Sequence, residues 1–222
     1  MTDVQITVAA NHTISERPQR ATVSASIDLN GPRPDAVFEA MSVELHWVRQ
    51  SIDEMYDPSS GPVTWFAIDQ IRRSSYRVRD QEDEPPRTVF TAAAQLEVKF
   101  SDFEALSKWI WWTASVDSLR VQTIDWALTA ARRSEIERDA RMQAVRDAVQ
   151  RAQDYADALD LGRVAARQVE DRHRYASDEV TTSNRVRQSE VDDWHLRPRH
   201  IRVGVDVKAV FTASARPAAA GR

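Results

Sequence analysis

Apolar and polar residues alternate singly at the start of the chain, with Val4, Ile6 and Val8 set against Gln5 and Thr7. A second alternation, Val23, Ala25, Ile27 and Leu29, follows Pro18. A period of two sends successive side chains to opposite faces of a strand, so both runs predict half-buried strands, joined as a hairpin through a turn over 12–20. Gly31-Pro32-Arg33-Pro34-Asp35 then breaks the alternation. From 36 to 55 the period becomes helical, with Val37, Met41, Leu45, Val48 and Ile52 along one side, and the cluster Tyr56-Asp57-Pro58-Ser59-Ser60-Gly61-Pro62 forbids continuation.

Residues 63–79 and 87–100 read as two long strands around the acidic, proline-bearing stretch Asp80-Gln81-Glu82-Asp83-Glu84-Pro85-Pro86. In the second of them Phe90, Ala92, Ala94, Leu96, Val98 and Phe100 occupy the even positions, which predicts a sheet with one covered face and a helix as its cover. Ser101-Asp102 caps a short helix over 103–114, and 119–129 returns as a strand. A long helix over 131–160 carries Ala140, Ala144, Ala148, Ala152 and Ala156 at four-residue spacing. A stripe of small side chains lets a helix lie close to a sheet or to another helix, while Arg141, Arg146, Asp147, Arg151 and Asp154 stay solvated on its other faces. A short strand over 164–169 follows. The stretch 171–199 is polar and poorly periodic and is read as a long mobile loop. The strand built on Ile201, Val203, Val205, Val207, Ala209 and Phe211 closes the pattern.

A length of 222 residues with 42% hydrophobic content supports one body over 1–214, with 215–222 as a frayed tail. The 30 basic and 34 acidic residues give a net charge of -4 and are mixed along the chain, which argues against nucleic acid as a partner. With no cysteine, disulfides, thiolate nucleophiles and cysteine-ligated metals are excluded. The opening residues lack a basic segment followed by an apolar one, so no secretory signal is read and a cytoplasmic location is expected. No apolar run approaches the ~20 residues that span a bilayer.

Candidate chemistry is sparse. His12, His46, His173, His195 and His200 are nowhere spaced three or four apart, as metal ligands on one helical face would be. Asp192-Asp193 beside Trp194-His195 can be drawn as a carboxylate–histidine couple but is better explained as loop sequence. Glu135, Glu137 and Asp139 lie among Arg132, Arg133, Arg138 and Arg141 at helical salt-bridge spacing, which accounts for them without acid–base chemistry. Five glycines leave little material for phosphate-cradling loops. No catalytic, cofactor-binding or metal-ligating residue is assigned. Seven tryptophans remain, of which Trp109, Trp111 and Trp112 share one short helix. Positions 109 and 112 fall on a face that 111 does not, so at least one ring is expected outside the core, as a contact surface.

The ladder Ala140 to Ala156, Leu159, then Leu161-Gly162-Arg163-Val164 and Val169-Glu170, resembles the SIMPL-domain family of bacterial proteins. Val4-Gln5-Ile6-Thr7-Val8, the strand after Pro18, Ser75-Tyr76-Arg77-Val78 and Ile201-Arg202-Val203-Gly204-Val205-Asp206-Val207 extend the resemblance over nearly the whole chain. It implies an α+β domain of mainly antiparallel strands packed with two amphipathic helices and one long alanine-rich helix. It implies no established enzyme activity, and in some members assembly into rings or channel-like oligomers. Most relatives are exported. Their first strand ends in a Gly-x-Gly turn where this chain has Ala9-Ala10-Asn11, so a different turn is expected there. The resulting expectation is a non-enzymatic protein without cofactor that works by self-assembly or by binding another protein, with Trp109, Trp111 and Trp112 as the contact element. The alternative is a small-molecule or lipid-binding domain with a pocket under the 171–199 loop, using Arg174, Tyr175 and His195.

Overall fold

A computed structural model describes residues 3–79, 85–172, 184–185 and 198–215. The elements run β1 (Val4–Glu16), β2 (Arg20–Gly31), α1 (Pro34–Asp53), β3 (Val63–Ile68), β4 (Arg72–Val78), β5 (Arg87–Phe100), α2 (Phe103–Thr113), β6 (Leu119–Ala127), α3 (Ala130–Ala158), β7 (Ala165–Arg172), β8 (Asn184–Arg185) and β9 (Ile201–Ala213). Contacts gather them into two compact units, one of Met1–Arg17, Leu128–Val180 and His200–Arg222, the other of Pro18–Ala127 and Thr181–Arg199. The fold is α+β with antiparallel sheets, as the alternation and the long helix require.

The first unit is a three-stranded sheet in the order β1-β9-β7 with α3 against β1 and β9. The register of β1 on β9 is unbroken from Val4↔Ala213 to Glu16↔Ile201. Ile6, Val8 and Ala10 of β1 and Val207, Ala209 and Phe211 of β9 meet Ala144, Ala148, Ala152 and Ala156 of α3 in one core. Every alanine of the ladder is buried. A methyl group at those positions brings the helix axis close to the pleat, and a longer side chain would hold the two layers apart. α3 starts at Thr129, whose hydroxyl accepts from Arg132 N at 3.3 Å, one of the otherwise unsatisfied N-terminal amides. It stops on Asp160, in the left-handed region at φ 55°. Leu161 N then reaches back to Ala156 O at 2.9 Å, the closing bond of a Schellman-type stop.

The second unit is a six-stranded sheet in the order β3-β5-β2-β6-β8, with β4 also on β5. Its covered face carries Ala21, Val23, Ala25 and Ile27 of β2, the even residues Ala92 to Phe100 of β5, and Ile124 and Trp126 of β6. Val37, Met41, Val48 and Ile52 of α1 and Leu106 and Trp109 of α2 pack on them. Each fully buried aliphatic or phenyl side chain contributes about 1.5–3 kcal/mol. Between α1 and β3 the Asp57 carboxylate collects the turn, accepting from Ser59 N at 2.8 Å, Ser60 N at 3.2 Å and the Ser60 hydroxyl at 2.9 Å. Gly61 is required there, since a Cβ would sit 2.4 Å from Asp57 N.

Several sequence readings change. β1 and β2 form no hairpin: β1 continues through 12–16 to pair with β9, and β2 lies between β5 and β6. Ala9-Ala10-Asn11 makes no turn but sits in the middle of β1. An alternating strand needs hydrogen-bonding neighbours, and the pattern does not say which strand supplies them. The strand read over 63–79 is two, β3 and β4, laid end to end along the same edge of β5 with 69–71 between them. The stretch read as a loop over 171–199 begins inside β7 and includes β8; most of it lies outside the described residues. So does all of the expected tail except Ala215, which bridges to Leu161.

Candidate functional site

Asp102 caps α2 with its side chain, accepting from Glu104 N at 2.8 Å and Ala105 N at 3.3 Å. That start fixes the phase of the helix, so Leu106, Trp109 and Thr113 point to the core. Trp109 is 3% exposed, packs on Phe100 with ring centroids 5.6 Å apart, and donates its indole N–H to Ser51 Oγ at 3.2 Å. Trp112 is half-buried against the same core. Trp111 is 57% exposed. The three tryptophans are therefore not one surface: 109 and 112 hold α2 in place and 111 is presented outward, the separation that the helical period predicts.

α1 adds further exposed apolar groups in the same unit, Val43, Trp47 (58% exposed) and Phe38. Trp47 meets His46 edge-on with centroids 5.9 Å apart. Beside them an open depression of about 440 Å³ is lined by His46, Arg49, Gln50, Asp53 and Glu54. Four of them belong to α1 and Glu54 caps its C-terminal end, so it is an open furrow along one helix and not an enclosed cavity. Arg174, Tyr175 and His195, the ligand loop of the alternative reading, lie outside the described residues, as do His173, Asp192, Asp193 and Trp194.

His12 Nδ1 stands 3.4 Å from Asp147 of α3. Among the described residues no three His, Asp or Glu side chains converge as a metal site would need. Glu135 and Glu137 of α3 lie in salt bridges, Arg132–Glu135 at 3.1 Å and Arg133–Glu137 at 3.9 Å, and Arg141 reaches Asp171 at 3.4 Å. Arg132 also holds Glu16 at 2.5 Å; that hydrogen bond, followed by one from Arg17 N–H, lowers the Glu16 pKa below its ordinary 4.5. The amide of Ser59 and then the hydroxyl and amide of Ser60 lower that of Asp57. Both shifts lead away from the neutral range in which a general acid or base works. No helix among the described residues is long and apolar enough to cross a membrane.

A family model described as SIMPL, Protein of unknown function (DUF541), matches residues 6–211 and so spans both units. No curated protein matches the chain.

Proposed function

The chain belongs to the SIMPL family, and we propose that it works without catalysis, by associating with itself or docking a protein partner through the outward side of α2. The observation that carries this reading is Trp111, a large aromatic side chain 57% exposed on a helix whose other tryptophans are turned inward. Aromatic anchors dominate the energetics of protein interfaces, because they bury much area for little lost side-chain freedom. Val43 and Trp47 on α1 supply further exposed apolar area in the same unit.

Light scattering of the full chain over a concentration series, with Trp111→Ala in parallel, tests it. A concentration-dependent rise in mass that the substitution weakens supports self-association. A monomer at every concentration, together with partner capture that Trp111→Ala leaves unchanged, refutes the proposal.

A further inference from the structure

β4 is an edge strand with a one-sign charge. Arg72, Arg73 and Arg77 lie in it, Arg79 follows it, and all four are exposed. Among the described residues, no carboxylate is within ion-pair distance of any of the four. Among the described strands β4 pairs only with β5, from Arg72↔Ala93 to Val78↔Arg87, so its other edge keeps backbone donors and acceptors unused by them.

The register sorts these side chains. Ala92 and Phe90 belong to the helix-covered side of β5, so their partners Arg73 and Ser75, and with them Arg77, share that side. The Arg73 guanidinium lies 4.8 Å from the centroid of the Phe38 ring on α1, a cation–π contact that restricts its orientation. Arg73 and Arg77 are thus two cations four residues apart on one side of an edge that no other described strand pairs.

Charged edges often serve only to block pairing. β7 shows that form: Arg167, Glu170, Asp171 and Arg172 mix both signs, and the strand carries a register shift between Ala166 and Gln168. β4 differs, being regular against β5 and wholly basic. Two copies pairing antiparallel through β4 about Ser75 would set Arg73 against Arg77, which is repulsive. In that register the edge rejects its own copy, and its charge favours a strand of opposite sign.

We propose that β4 is a docking edge for an acidic, extended peptide segment of a partner protein, which adds to the sheet antiparallel or parallel and sets carboxylates against Arg73 and Arg77. Backbone hydrogen bonds supply strand addition, and arginine–carboxylate pairing supplies selectivity. Alternate acidic positions suffice, because side chains on one side of a strand recur every second residue. Asp80, Glu82, Asp83 and Glu84 follow Arg79 in the sequence, so a variant with amides at all four separates their charge from that of the peptide. This surface is separate from Trp111, and the inference does not depend on that reading.

The test is fluorescence anisotropy of a labelled heptapeptide alternating Glu and Thr, titrated with the full chain near 0.1 M salt. Binding is expected, with an affinity loss of about ten-fold in Arg73→Glu with Arg77→Glu. Arg73→Gln with Arg77→Gln should give a smaller loss, and Arg163→Glu and Trp111→Ala none. A Glu–Thr heptapeptide N-methylated at every backbone amide keeps the charge but has no amide donor for strand addition, and it should bind weakly. The proposal is overturned if the N-methylated peptide or a single-stranded oligonucleotide of equal charge binds as well, or if the arginine variants bind like the wild type. It is equally overturned if neither the wild type nor a variant with amides at Asp80, Glu82, Asp83 and Glu84 binds the Glu–Thr peptide.

Discussion

The indole N–H of Trp109 reaches Ser51 Oγ at 3.2 Å, joining α2 to α1 across 58 residues of sequence. The same ring lies against Phe100 of β5, so one side chain fastens two helices and the sheet beneath them. Trp109→Ala should therefore cost about 3–5 kcal/mol in urea unfolding of the full chain, the range for deleting a buried aromatic ring. Trp111→Ala should cost clearly less, since its ring is 57% exposed. Equal losses from the two would contradict the inward and outward assignment.

The alanine ladder gives a size test. Ala148 is 1% exposed between α3 and the β1-β9-β7 sheet, and Ala148→Leu forces several carbon atoms into a filled layer, with an expected loss of about 1–3 kcal/mol or more. Val149, 42% exposed, should accept Leu with little change. Denaturation midpoints of the two variants check the contrast; a neutral Ala148→Leu would mean that the layers are not in contact there.

α3 ends on a strained residue. Asp160 holds φ at 55°, a region that L side chains enter at a cost and glycine enters freely. Asp160→Gly should raise stability by about 0.5–1 kcal/mol, and Asp160→Val should lower it. Gly162, two residues further on, is not in the left-handed region. Loss of stability in Asp160→Gly would show that the aspartate contributes something beyond its backbone conformation.

Acid should weaken the Glu16–Arg132 pair. The hydrogen bond from Arg132 holds the Glu16 pKa below 4.5, so the folded chain binds this proton less readily than the unfolded chain. The stability it contributes is complete above about pH 4.5 and is lost as pH falls through the lowered folded value. Urea midpoints of wild type and Glu16→Gln, measured at neutral pH and stepwise below 4.5, should converge as pH falls. A difference that stays constant with pH would show that the carboxylate charge is not what stabilises the pair.

Much of this was legible in the residues. The even-numbered apolar side of β5, the buried ladder of α3 and the cap Asp102 follow from local period and from hydrogen bonds within a turn, whereas Thr129, read as the end of a strand, proved to be the cap of α3. The phase that separates Trp111 from Trp109 and Trp112 is of the same local kind. The partner of Trp109 was not legible, because nothing near residue 109 marks Ser51.

The sequence by itself determined which residues alternate, which coil, and which faces must be covered, because side-chain direction is set by the backbone within a few residues. Only the tertiary structure decided that β1 pairs with β9, some 200 residues later, and not with β2, and that β3 and β4 share one edge of β5. It also decided that the arginines of β4 stand on an edge that no other described strand pairs. The physical reason is that backbone amides and carbonyls are the same in every strand. Which strands meet is settled by the joint burial of their apolar sides under α1, α2 and α3, a property of the assembled layers that no single segment contains.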